Sequence, residues 1–432
     1  MNLNPEFQRQ LQLEFSQARL IGIPLTLSLI FTLSYLSDDH HFAQDTARTA
    51  IGLFLLIVSF WGARQAVDSV LDEQRAHTWD TQRLSALDPW TMVLGKLFGS
   101  TLVVWYGGVI CLAVYALSAS SFLHFAWVSS FAVISGLFIQ SLSLMMSLVG
   151  LRKDYISSNS MIIGFALFAA FFSAVWIMPL AEPNALKDTD TEQWYSITFS
   201  VKFILLISLI CALFWSVVSN YRLMAQELKI RTLPWAWLAF SVFLMVYFGG
   251  FLPNDHFGES FLVLSFGICL TLTYLAALSE IQEPMRVKRL LTYIEQENWQ
   301  RTGEELPLWC LSFALAFVFA VPLSLLDLHD VDDMNDVHVY PLAILLIALR
   351  DLGIFLYYSY GKNPQRALVL TLLALIILYG FLPAIFTAAG LHGVVSFFYP
   401  LISKHSFLAI LYSAMQAVLV AWLVFQRWKA SV

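Results

Sequence analysis

Asp68-Ser-Val-Leu-Asp72-Glu73-Gln-Arg75-Ala-His77-Thr78-Trp79-Asp80-Thr-Gln82-Arg83-Leu-Ser-Ala-Leu-Asp88-Pro89-Trp90 separates two apolar runs, residues 48–67 and 91–117, and leads into Gly95-Lys96. A helix crossing a bilayer needs about 20 mainly apolar residues, and both runs reach that length. The stretch between them is too polar for hydrocarbon and must meet water. It therefore marks a loop on one membrane surface, with a span on either side.

The rest of the chain repeats this contrast. Of 432 residues, 59% are hydrophobic and only 12% charged, with a mean hydropathy of +0.70. A soluble domain carries about 25% charge, so a globular soluble enzyme is excluded. Aromatic residues at 15% suit a protein with two interfaces, where Trp and Tyr collect. The sequence predicts an all-α integral membrane protein of about twelve transmembrane helices. Their approximate ranges are 20–37, 48–67, 91–117, 124–150, 158–181, 195–219, 233–252, 259–279, 307–326, 339–360, 366–389 and 406–426. No loop is long enough for a soluble domain, and the polar start from Asn2 to Arg19 does not read as a cleavable signal peptide.

Charge orients the spans. With the N-terminus in the cytoplasm, only Arg48, Lys187, Lys202 and Lys404 of the 24 Lys and Arg fall on the outer side. This is the positive-inside bias, and it predicts both termini inside. The outer loops are acidic: Asp38-Asp39-His40-His41, Glu182 to Glu192, and Asp327 to His338. The last has oxygen and imidazole donors but not the spacing of a calcium loop, so it reads as a solvated acidic loop and no metal site is assigned. Cys111, Cys211, Cys269 and Cys310 all lie in apolar runs and read as small buried hydrophobes. Met145-Met146 reads as packing. No arrangement of Ser, His and Asp, no carboxylate pair and no Cys-x-x-Cys is placed for catalysis, and nothing suggests nucleic-acid binding.

The spans divide into two sets of six, a probable 6+6 pseudo-repeat over 1–219 and 220–432. Each set begins with a polar lead-in, Phe7 to Phe15 and Tyr221 to Arg231. Each has its longest cytoplasmic loop between its second and third spans, Asp68–Trp90 and Glu280–Leu306. Both loops close on a proline, Pro89 and Pro307, suited to a first helical turn where its missing N–H is not needed. Asp88 is then an N-cap.

Within the first loop acids (Asp68, Asp72, Glu73, Asp80) alternate with bases (Arg75, Arg83), and Trp79 and Leu84 offer apolar anchors. Trp and Arg are favoured hot-spot residues at interfaces, although an ordinary solvated loop with an interfacial Trp has the same composition. Glu73, Thr78, Leu84, Pro89 and Gly95-Lys96 resemble the cytosolic loop of ABC-2 type transporter permeases. His77 stands where that family usually has Gly, the Thr-to-Pro spacing is longer, and the loop at 280–306 matches poorly.

The resemblance implies the membrane subunit of an ATP-binding cassette exporter, here with two six-span permease units fused. It implies an amphipathic N-terminal helix, for which Leu3 to Arg19 fits. It also implies a coupling helix in the first loop, docking on a separate cytosolic ATPase dimer through Glu73, Arg75, Thr78, Trp79, Asp80 and Arg83. The chain would not itself be an enzyme and would hold no cofactor. ATP and Mg would be bound by the partner, since no Gly-x4-Gly-Lys-Ser/Thr phosphate loop occurs here. The expected setting is the bacterial inner membrane, with a second permease copy as a further partner.

Two other readings stay open. One is a twelve-span secondary transporter, although Asp68 to Leu94 lacks the glycine of the major facilitator signature. The other is a membrane anchor or assembly protein without transport. Arg350-Asp351, in the tenth span, is the other polar feature. The pair lines or gates a pathway or ties helices together, or else sits at the cytoplasmic interface with Arg350 snorkelling. Neighbouring side chains diverge by about 100° on a helix, which predicts different partners for the two.

Overall fold

The computed structural model describes residues 4–37, 44–84, 87–119, 121–152, 190–326, 340–398 and 406–432, with Gly164, Phe168, Phe171, Val175 and Ile177. The expected span at 158–181 falls almost wholly outside these residues. So do most of the outer acidic loops, including Asp38–His41 and Asp327–His338.

The described chain is helical apart from one hairpin. In order it forms α1 (Pro5–Glu14), α2 (Gln17–Ser37), α3 (Gln44–Arg75), α4 (Trp79–Arg83), α5 (Pro89–Gly99), α6 (Leu102–Ser118) and α7 (Phe122–Arg152). The hairpin, β1 (Thr191–Trp194) and β2 (Ile197–Ser200), precedes α8 (Val201–Glu227). There follow α9 (Trp235–Gly249), α10 (Phe257–Ser279), α11 (Pro284–Glu295), α12 (Trp299–Glu305) and α13 (Leu308–Leu323). The chain ends with α14 (Pro341–Ser359), α15 (Pro364–Ala388), α16 (His392–Phe398) and α17 (Ser406–Ser431). Eight of these are long and apolar enough to cross a membrane, and up to ten if the bent pairs α5–α6 and α12–α13 each count as one span. This is an all-α chain of membrane-spanning character. Among the described residues α9 is apolar but only 15 residues long.

Two sequence boundaries shift. The run expected to cross from 195 instead begins as helix at Val201, because 191–200 forms the hairpin. Its central turn residues Tyr195 and Ser196 have φ of 48° and 64°, the left-handed pair of a type I′ turn. The run expected across 91–117 is bent by 48° between α5 and α6. There Ser100 Oγ and Thr101 Oγ1 donate back to the carbonyls of Lys96 and Leu97, both at 2.6 Å, a pattern that bends helices.

The chain forms two compact units, Met1–Gln193 with Ile197–Thr232, and Trp194–Ser196 with Leu233–Val432. In the first, α3 widens into a π turn over Leu55–Trp61. A Cβ at Gly108 or Gly136 would stand 2.7 or 2.6 Å from a Val58 methyl, so α6 and α7 close on α3 through missing side chains. Gln140 completes the contact. Its Nε2 donates to Val58 O at 2.9 Å, and its Oε1 accepts from Trp105 Nε1 at 3.0 Å. Asn220 of α8 donates to Ser141 O of α7 at 2.8 Å, and the hydroxyls of Ser141 and Ser216 pair at 2.7 Å.

In the second unit the turn residues Trp194–Ser196 close the end of α9. Tyr195 Oη donates to Val246 O and Trp194 Nε1 to Tyr247 O, at 2.8 and 3.0 Å. Both carbonyls lie in the last turn of the helix, where backbone acceptors run short of partners. Further along, α14 meets α17 where Gly353 admits Val420; a Cβ there would lie 2.6 Å from Val420 Cγ1.

Candidate functional site

The polar loop is built on the end of α3. Thr78 N–H donates to Glu73 O and His77 N–H to Gln74 O, at 3.0 and 3.1 Å. His77 carries the left-handed φ of 56°. This is a Schellman stop, whose left-handed position favours glycine. His77 thus stands at the backbone position that glycine suits best. The chain then turns into α4, and Asp88 caps α5 by accepting from Trp90 N at 3.0 Å, with Pro89 in the first turn.

α1 packs against α5 at two glycines spaced by four. A Cβ at Gly95 would lie 2.6 Å from Glu6 Cβ, and one at Gly99 2.7 Å from Gln10 Cβ. Asn4 caps α1, and its Nδ2 donates to Thr91 O at 2.8 Å, fixing the helix start. The face α1 buries is polar. Glu6 and Gln10 are its buried residues, and they enclose Lys96, which has 0% exposure.

Lys96 Nζ reaches Glu73 Oε2 at 2.5 Å, Glu6 Oε1 at 3.3 Å and Ser69 O at 3.2 Å. Arg9 donates to both oxygens of Glu6 at 2.8 and 3.0 Å and also to Glu73. Gln10 Nε2 donates to Glu6 at 3.0 Å. Two carboxylates thus face two cations with a neutral sum. Buried charges are tolerated on those terms, paired and hydrogen-bonded. Burial pushes the Glu6 carboxyl up, but the hydrogen bond from Arg9, the Lys96 charge and the Gln10 amide together hold it below its ordinary range. The hydrogen bond to Glu6 raises the Arg9 guanidinium further above its ordinary value.

The six residues expected to face a partner separate into two groups. Glu73 lies inside the charge cluster. Trp79 is buried among Val70, Met92, Val93, Leu97, Leu144 and Met224, with Lys96 Nζ 5.5 Å from its ring centre. Both face inward and hold the loop from beneath. Arg75, Thr78 and Asp80 are exposed and Arg83 is partly so. Arg75 pairs with Asp72 at 2.8 Å, and Arg83 with Asp80 at 3.4 Å. Arg83 Nε also donates to Glu227 O at 3.1 Å, tying α4 to the end of α8. Leu84, the second of the two expected anchors, is 89% exposed.

Arg350 and Asp351 form another charge cluster within the second unit, midway along α14. Both are buried, so Arg350 does not snorkel. Contrary to expectation the neighbours bond each other, because the long arginine folds back: Nε and Nη2 reach Asp351 Oδ1 at 2.9 and 2.8 Å. They also have separate partners. Gln416 of α17 accepts from Arg350 at 2.5 Å. The hydroxyls of Tyr274 (α10) and Tyr379 (α15) donate to Asp351 at 3.3 and 2.8 Å. Tyr379 sits in a second π turn, Ile377–Phe381, and its ring centre lies 4.8 Å from the guanidinium. The pair therefore joins four helices.

Sequence reasoning missed Glu6, Arg9, Gln10, Tyr274, Tyr379 and Gln416 as site residues, and used Lys96 only as part of a motif. The available signal was the spacing of Glu6, Arg9 and Gln10 on one helical face and a lysine inside an apolar run. Among the described residues no group of three His, Cys, Asp or Glu could hold a metal ion. No family model, curated protein or solved structure matches this chain.

Proposed function

We propose that the chain is the permease of an ABC-2 type exporter in a bacterial inner membrane, driven by a separate cytosolic ATPase. In this reading about twelve helices cross the bilayer with both termini inside, as two six-span units fused in one chain. The observation that carries it is the mounting of the α3–α5 loop. The loop is braced from within by Glu73, Lys96 and Trp79 and clamped by the N-terminal helix, while Arg75, Thr78, Asp80 and Leu84 are exposed and Arg83, partly exposed, ties α4 to the end of α8. A rigidly held helix that offers both charge signs and one apolar side chain suits transmission of force from a partner. A loose solvated loop would not need a four-charge clamp in which Glu6, Glu73 and Lys96 are buried. ATP and Mg bind the partner, and this chain supplies the path.

The repeated loop design supports the fused-unit reading. Each loop runs from a helix through a left-handed residue (His77, Glu297) to Thr78-Trp79 or Asn298-Trp299, then a short helix and a proline. The test is purification of the full chain from native membranes in mild detergent, with identification of stoichiometric partners. An ATPase present in fixed ratio supports the assignment. The chain alone, folded and active in transport without ATP, refutes it.

One observation favours a second reading, a gradient-driven carrier: the buried carboxylate of Asp351 midway along a span. Ionisable residues at that depth are expensive and tend to be functional. Transport by the purified chain that follows an imposed ion gradient would select this reading.

A further inference from the structure

The helix pair α11–α12 leaves an apolar surface uncovered. Val287, Leu290, Leu291 and Ile294 recur at helical spacing on one face of α11, and none is buried. Leu291 and Ile294 are 44% and 41% exposed, and Trp299, which opens α12, is 70% exposed. Its counterpart in the first loop, Trp79, is 5% exposed. No described residue of the chain fills the role for Trp299 that the α5 and α7 side chains fill for Trp79.

The occupant follows from how the pair is tethered. Residues 280–283 join α11 to α10, and residues 306–307 join α12 to α13. At roughly 3.5 Å per extended residue, these links reach about 14 and 7 Å from the ends of α10 and α13. The polar layer on each side of a bilayer is itself about 5–7 Å deep. The links are also strapped down. Arg286 donates to Glu305 O at 2.8 Å and Leu306 O at 3.2 Å, and Glu280 accepts from Leu308 N at 2.9 Å. Trp428 Nε1 holds Pro284 O at 3.0 Å. Finally, α12 is bent by 99° from α13, the angle of a helix lying flat on a bilayer beside one that enters it.

We infer that α11 and α12 form a lipid-binding platform, with Leu291, Ile294 and Trp299 seated at the boundary between headgroups and acyl chains. A short helix with one apolar and one charged face lies in the interface in this way, and tryptophan is suited to that depth. Arg286 and Arg289 are paired with Glu280 and Glu305 at 3.4 and 3.2 Å, so the surface does not demand an anionic headgroup. The inference rests on α10 and α13 being spans, and is independent of the ATPase.

The test uses the full chain in phosphatidylcholine nanodiscs, with a nitroxide on Leu291→Cys, Ile294→Cys, Lys288→Cys or Thr292→Cys, one at a time, and the parent chain as labelling control. Collision with oxygen should exceed collision with an aqueous nickel complex at 291 and 294, and the order should reverse at 288 and 292. Nickel access at all four sites, or shielding of 291 and 294 from both probes, overturns the inference. A second measurement avoids the labels. The fluorescence lost in Trp299→Phe should be quenched by brominated phosphatidylcholine. Quenching of that component by aqueous acrylamide alone overturns the inference equally.

Discussion

Lys96 Nζ stands 2.5 Å from Glu73 Oε2, joining the third turn of α5 to the last turn of α3 beneath the exposed polar loop. Removing one partner of such a pair leaves a buried charge uncompensated, at about 3–5 kcal/mol. Lys96→Met should therefore lower the thermal midpoint of the detergent-solubilised protein sharply. Adding Glu73→Gln to it should restore part of the loss, because the opposing charge is then gone. A double variant less stable by the full sum of the single effects would mean that the two residues are not coupled.

The α1 clamp should open in acid. The Glu6 carboxyl is held below its ordinary value of 4.5. A depressed carboxylate contributes stability that is full above the unfolded value and lost as pH falls through the lower folded one. The Arg9 guanidinium, shifted upward, stays charged throughout this range. Protection of the α1 amides, relative to their intrinsic exchange rate, should be high at neutral pH and fall as acid carries Glu6 through its lowered folded value, while Glu6→Gln should be less protected already at neutral pH. Protection unchanged across this range would contradict the ionic account of α1.

His77 occupies a left-handed turn that costs a side-chain-bearing residue about 1–2 kcal/mol. Glycine removes that strain but carries more freedom in the unfolded chain. His77→Gly should be neutral or stabilising by up to about 1 kcal/mol, and His77→Val destabilising. Thermal unfolding of the three proteins checks the order.

Asp351 neutralises Arg350 inside the second unit. Asp351→Leu should destabilise by about 3–5 kcal/mol, and Asp351→Asn by less, since an amide oxygen can still accept from the guanidinium. If the chain is a gradient-driven carrier, Asp351→Asn also abolishes ion dependence. If it is an ATP-driven permease, the variant changes stability and not the energy source.

The helical, membrane-spanning character was legible because apolar runs of membrane length suit spanning helices, and eight to ten such helices stand among the described residues; Asp88-Pro89 also announced the start of α5. The hairpin at 191–200 was not, because its type I′ turn uses Tyr195 and Ser196 in place of the usual Asn-Gly. The bend at Ser100-Thr101 has no proline to betray it and depends on hydroxyls turned back onto the helix. The loop read as chemistry of one kind, yet two of its six expected contact residues, Glu73 and Trp79, proved internal. Whether Glu73 and Trp79 point outward is decided by Lys96, Gly95 and Glu6, and Glu6 is 67 residues away in sequence from Glu73. Composition marks such residues as polar or aromatic, and only the packing of α1 on α5 assigns them a side.

The central claim is that the exposed side chains of this loop engage an ATPase, and it is tested by reversing two exposed charges that lie outside the buried cluster. Arg75→Glu with Asp80→Arg breaks only the surface pairs with Asp72 and Arg83, worth about 0–1 kcal/mol each, so the thermal midpoint should shift little and membrane insertion should persist. The predicted result is loss of the stoichiometric ATPase on purification from native membranes, together with loss of ATP-dependent transport. An ATPase retained in unchanged ratio, with transport intact, would contradict the account.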